Sequence, residues 1–65
     1  MLDNNIAKLR GKLKISQQEL ADGIGVSRKT ISTVETGRFT PSVVIALKLA
    51  AYFHVTVESI FSFEE

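Results

Sequence analysis

At 65 residues, 45% apolar and 23% charged, the chain reads as one domain spanning 1–65, too apolar to be disordered and too short to divide. It has no cysteine, which excludes a disulfide scaffold or a thiolate metal site, and a core this small leaves little room for a water-excluding catalytic pocket, so no enzyme and no cofactor are expected. The formal charge is +1, which by itself does not suggest a nucleic-acid partner.

The N-terminal segment from Met1 to Asn5 has no basic region followed by an apolar run. The longest near-apolar stretch, Val43 to Phe53, is eleven residues and contains Lys48, so it fits a buried helix better than a bilayer span. Together with the missing cysteines, these features point to the cytoplasm.

In chain order, Asn4 and Asn5 cap a helix running to about Leu13, with Ile6, Leu9 and Leu13 on one face. Ser16 with Glu19 three residues on is a capping-box pattern, and the helix it opens carries Leu20, Ala21 and Ile24 and stops at Gly25. Ser27 caps the next helix, whose apolar positions are Ile31 and Val34 and which ends at Thr36-Gly37. A loop through Pro41 follows. Ser42 then caps a helix from about Val43 to Phe53, His54 interrupts it, and Thr56 caps a short helix containing Val57, Ile60 and Phe61. A lone histidine between two helices suits a positive-φ turn position better than catalysis or metal binding. The tail Phe61-Ser62-Phe63 has the strand period and can pair with Met1-Leu2 or fray.

Two helices joined by a short glycine-containing turn, from Gln17 to Thr36, make a helix-turn-helix pattern. Ala21 is small where the helices must approach closely, and Gly25 supplies the positive φ of the reversal. At about 100° per residue from Arg28, Ser32, Thr36, Lys29 and Thr33 fall at roughly 40°, 80°, 100° and 140°. Ile31 and Val34 fall on the other side, at roughly 300° and 240°. One face is thus cationic and hydroxyl-bearing while the other is apolar. Arginine and lysine reach guanine O6 and N7 in a major groove, and threonine offers a hydroxyl or a methyl group. Ser27 and the free N–H groups at the helix start favour a phosphate or a base edge.

The segments SQQELA, GIGVSRKTIS, ETGRFTPS and LKLAAYFHVTVESIF resemble the Cro/repressor-type, xenobiotic-response-element-like helix-turn-helix regulators, and the resemblance covers nearly the whole chain. It implies an all-α, five-helix, lambda-repressor-like domain, with an aromatic tail that in the small dimeric repressors belongs to a short antiparallel sheet. It also implies base contacts from Ser27, Arg28, Lys29 and Thr33 in a recognition helix over 28–36. Phosphate contacts are implied for Gln17, for Gly37 through its backbone, and for Arg38; Ser32 and Thr36 are placed with them or are simply exposed polar residues. Arg10 and Glu35 match an ion pair common in relatives, a phosphate contact being the alternative for Arg10. Many relatives carry glutamine where this chain has Arg28 and Lys29, so an operator sequence does not transfer.

Plainer readings compete at several positions. Arg28 and Lys29 taken alone are ordinary solvated charges, Lys8, Lys12 and Lys14 are solvated or add general attraction, and Phe39 packs beside Pro41 or flanks a DNA backbone. In the fourth helix, Val43, Ala46, Leu49, Ala50 and Phe53 form one core stripe, and Val44, Ile45, Leu47, Ala51 and Tyr52 cannot all be inside as well. They suggest an apolar surface on the C-terminal half, assigned to a homodimer contact through Tyr52, Val57, Ile60, Phe61 and Phe63; the plainer alternative is a locally apolar helix with scattered exposure. Residues 8–38 hold seven cations against three anions, a local +4, whereas residues 41–65 hold one cation against three anions, a local −2. The expected protein is a repressor that binds a near-palindromic double-stranded DNA operator as a homodimer, without a membrane or a small-molecule effector. Activation through a polymerase contact, an antitoxin that also binds a toxin, and an adaptor without DNA binding are the alternatives.

Overall fold

Small hydroxyl side chains begin most of the helices. Ser16, Ser27, Ser42 and Thr56 hold extended backbone, and each accepts a hydrogen bond from the N–H three residues on. In the computed structural model, which describes residues 2–63, the order is β1 (Leu2–Asn4), α1 (Ile6–Leu13), α2 (Gln17–Ile24), α3 (Arg28–Glu35), α4 (Val43–Phe53), α5 (Val57–Ile60) and β2 (Phe61–Phe63). The capping box is complete: Glu19 N–H donates to Ser16 Oγ at 3.0 Å, and Ser16 N–H donates to Glu19 Oε1 at 3.1 Å. In α1 the cap falls to one of the two asparagines. Asn4 Oδ1 accepts from Ile6 N–H at 3.1 Å, while Asn5 Nδ2 donates away, to Ser59 O at 3.0 Å.

Four helices close alike. Lys14 (φ 57), Gly25 (φ 75), Gly37 (φ 77) and His54 (φ 57) take the left-handed conformation. The N–H after each reaches back five residues, Ile15 to Arg10 O, Val26 to Ala21 O, Arg38 to Thr33 O and Val55 to Ala50 O. This closure satisfies carbonyls that a helix end leaves orphaned. His54 thus occupies the turn position read from the sequence, and Lys14 occupies the same position without a sequence signal.

Nine residues form one core: Ile6, Leu20, Ala21, Ile24, Ile31, Val34, Leu49, Ala50 and Ile60. Each fully buried aliphatic side chain is worth about 1.5–3 kcal/mol of transfer free energy. Two apolar assignments need correcting. Val43 is 74% exposed, because the side of the first turn of α4 that meets the core is the one carrying Ile45, which packs against the core instead. Ile60 is 1% exposed, so its side chain belongs to the protomer core and is not available to a second copy.

Phe61 leaves the helix and begins β2, which pairs antiparallel with β1 in the register Leu2↔Phe63, Asp3↔Ser62 and Asn4↔Phe61. Of the two outcomes left open for the tail, pairing and fraying, the structure shows pairing, through Leu2–Asn4; Met1 lies outside the described residues. No helix among the described residues is long and apolar enough to cross a membrane.

Candidate nucleic-acid interface

Three residues, Gly25, Val26 and Ser27, separate α2 from α3. Ala21 is fully buried, and Leu20, Ile24, Ile31 and Val34 are buried beside it. This packing locks the inner face of α3 and turns Arg28, Lys29 and Thr36 to solvent, with Ser32 and Thr33 half-buried. Among the described residues, none of Arg28, Lys29 and Arg38 forms an ion pair.

The hydroxyls are more committed than the cations. Ser27 Oγ accepts from Thr30 N–H at 3.1 Å and lies 2.9 Å from Thr30 Oγ1. Thr33 Oγ1 donates to the carbonyls of Lys29 and Thr30, both at 3.0 Å, and Thr36 Oγ1 donates to Thr33 O at 3.2 Å. What Thr33 and Thr36 present outward is therefore a methyl group and acceptor lone pairs.

Two of the expected phosphate contacts sit differently from their sequence reading. The Gly37 N–H donates to Val34 O at 3.1 Å and the Arg38 N–H to Thr33 O at 3.1 Å, because both close the helix end. This loop therefore offers a phosphate the Arg38 guanidinium rather than those two N–H groups. Gln17 turns its side chain inward, with Nε2 donating to Glu35 Oε1 at 3.2 Å, and what remains at that position is the backbone N–H of the first turn of α2.

The end of α3 is anchored from several directions. Arg10 grips Glu35 with two parallel bonds, Nε to Oε2 at 2.7 Å and Nη2 to Oε1 at 3.0 Å, and its Nη1 donates to Ile15 O at 3.1 Å. The bonds to Glu35 hold the guanidinium pKa above its ordinary value, against a smaller opposing effect of burial. Asn4 Nδ2 donates to Val34 O at 3.1 Å and to Glu35 O at 3.2 Å. The sequence marked Asn4 only as a cap, and nothing local signals a partner thirty residues away.

Phe39 is half-exposed and, with Pro41, borders a cavity of about 150 Å³ between this loop and the terminal ribbon. Of the residues assigned to a dimer contact, Tyr52, Val57 and Phe61 are half-buried against the core, and Phe63 is 83% exposed. Val44 and Leu47 on α4 are also exposed. Gly23 packs under the Tyr52 ring so closely that a Cβ there would stand 2.5 Å from Tyr52 Cε2. Among the described residues there is no cluster able to hold a metal ion.

A glycine turn, a close crossing at Ala21 and an outward cationic helix face define a helix-turn-helix domain of the DNA-binding class. The helix-turn-helix family model matches residues 6–60, and the chain belongs to that family. Its relatives are regulators rather than enzymes. An uncharacterized HTH-type transcriptional regulator of Bacillus subtilis, YgzD, is 34% identical over 64 residues, covering 98% of this chain and 97% of that protein. An uncharacterized HTH-type transcriptional regulator of Archaeoglobus fulgidus is 42% identical over 60 residues, covering 92% and 84%. The cryptic phage CTXphi transcriptional repressor RstR of Vibrio cholerae is 32% identical over 65 residues, and this chain spans 59% of its length. A crystal structure from Bacteroides fragilis superposes with a TM-score of 0.82 at 24% identity, over 95% of this chain and 100% of the other, which shows the fold.

Proposed function

We propose that the protein is a repressor that binds a near-palindromic double-stranded DNA operator as a homodimer, with the recognition helix over 28–36 in the major groove. The observation that carries this reading is the pair of cations Arg28 and Lys29, without an ion-pair partner among the described residues, on the face of α3 opposite the buried Ile31 and Val34. On this reading Arg28 and Lys29 read base edges, Thr33 adds a methyl contact and Ser27 borders the first base. Arg38 and the first turn of α2 at Gln17 bind phosphate, flanked by Ser32, Thr36 and Gly37.

The homodimer is supported by apolar surface that the protomer leaves uncovered, Phe63 on the ribbon and Val43, Val44 and Leu47 on α4, with Tyr52, Val57 and Phe61 beside it. Two copies would read half-sites about 34 Å apart, one turn of duplex. Repression is supported by the likeness to the phage repressor RstR and needs only occupancy of a promoter. The reading requires no small-molecule effector and places the work in the cytoplasm, where the operator lies.

Selection of bound duplexes from random DNA, with sedimentation of the free protein, tests both parts. A symmetric enriched motif and a dimer at micromolar concentration are expected. No enrichment would turn the reading toward a protein adaptor, and a monomer at high micromolar concentration would remove the dimer.

A further inference from the structure

We infer that Asn4 is a positioning residue for DNA reading: it fixes the recognition helix relative to the terminal ribbon. The inference rests on the homodimeric operator reading above. Asn4 lies in β1 opposite Phe61 of β2, and its side chain spends its whole amide on two other elements. Oδ1 accepts the Ile6 N–H that opens α1, and the two Nδ2 hydrogens go to Val34 O and Glu35 O in the last turn of α3. One planar group with no rotatable slack between its donor and acceptor ends thereby ties the ribbon, the start of α1 and the end of the recognition helix.

Arg10 and Gln17 hold the end of α3 to α1 and α2, whereas the side-chain hydrogen bonds between the ribbon and α3 among the described residues are those of Asn4. A cavity of about 150 Å³, bordered by Leu2, Asn4, Val34, Gly37, Phe39 and Phe61, lies between the ribbon and the end of α3. Apolar packing therefore does not fix the angle there, and directional bonds do. Val34 O also accepts from the Gly37 N–H, but Glu35 O is among the carbonyls a helix end leaves without an intrahelical partner, so removing the amide strands that carbonyl and unties the ribbon from a helix end that Arg10 and Gln17 still hold through Glu35. With a second copy docked on the ribbon side, a small rotation of α3 about this joint is carried into the separation and tilt of the two recognition helices.

Asn5 supplies a matched control. It adjoins Asn4 but bonds Ser59 O and Ile60 O in α5, away from the recognition helix. The test uses the full chain as wild type, Asn4→Asp, Asn4→Ala and Asn5→Ala. Asn4→Asp keeps an oxygen for the Ile6 N–H but puts a second oxygen against two carbonyls. Three duplexes are titrated by fluorescence anisotropy: the operator selected by the wild type, a scrambled version, and the operator with one base pair inserted between its halves. Asn4→Asp and Asn4→Ala are expected to weaken the operator complex about tenfold, the scale of one lost base contact, with scrambled binding unchanged within about twofold. The penalty for the inserted base pair should shrink in both variants, whereas Asn5→Ala should match wild type on all three duplexes. If Asn4→Asp does not fold, Asn4→Ser is read the same way. Operator-to-scrambled ratios and a spacing penalty equal to wild type in the Asn4 variants would overturn the proposal alone, as would an equal loss in Asn5→Ala. A wild type that enriches no sequence would overturn the operator reading and this proposal together.

Discussion

Arg10→Met isolates the anchor at the end of α3. The change keeps an apolar stem of similar length and removes three bonds: two to the Glu35 carboxylate, at 2.7 and 3.0 Å, and one to Ile15 O at 3.1 Å. Hydrogen bonds to charged groups are worth about 1.5–3 kcal/mol each, but these three share one guanidinium and do not add. Removing one partner of a fully buried pair costs about 3–5 kcal/mol. Here the side chains are 18% and 8% exposed and Gln17 still donates to Glu35, so the bereft carboxylate is partly relieved. The expected loss is therefore about 2–3 kcal/mol, a large share of the roughly 3–10 kcal/mol available to a chain of this size.

Urea unfolding of wild type, Arg10→Met, Glu35→Leu and the double variant measures the loss and the coupling. The double variant should be less destabilised than the sum of the single changes by about 1–2 kcal/mol, because the second change no longer strands a charge. Additivity within about 0.5 kcal/mol would refute the reasoning. The arginine gives no pH dependence near neutrality. Its pKa is raised on folding, so its contribution is fully present below the unfolded value and is lost only as pH rises through the folded one, in strongly alkaline solution.

The remaining predictions concern backbone, packing and DNA. Gly11→Ala should stabilise by about 1 kcal/mol, since the new Cβ meets nothing within 4 Å in mid-helix. Gly23→Ala should destabilise despite the same propensity gain, because Tyr52 must move; a matching rise in thermal stability for both would contradict the contact of α2 with α4. Lys14→Gly and His54→Gly should each stabilise by up to about 1 kcal/mol in denaturant titrations, and a loss at either would argue against its left-handed cap. Arg28→Ala should cost about 1–3 kcal/mol of operator affinity and relax preference at one base position. Arg38→Ala should weaken all sequences alike and reduce the salt slope by about one unit; identical behaviour of the two variants in salt titrations would contradict that division.

Much of this molecule is written in short-range chemistry. Ser16 with Glu19, the caps at Ser27, Ser42 and Thr56, and Gly25 all act within about five residues, so they are legible before any fold is known. The phase of α3 is legible for the same reason, because its few apolar residues mark one side. The fourth helix offers no such phase: it is apolar nearly all round, and periodicity cannot choose which positions go inside. Packing on α2 and α5 made that choice, burying Leu49 and Ala50 and leaving Val43 and Leu47 in water.

Partners distant in the chain leave no local trace in either member. The pairing of Arg10 with Glu35 is implied by the family resemblance and not by their spacing. The bonds from Asn4 to the end of α3, the turn of Gln17 toward Glu35, the press of Tyr52 on Gly23 and the inward seat of Ile60 have no sequence signal at all. Local hydrogen bonding and helical period thus determined where most of the helices begin and end and which face of α3 is cationic. The tertiary structure decided what is buried and which polar groups are already spoken for, because both depend on segments that meet only when the chain has folded.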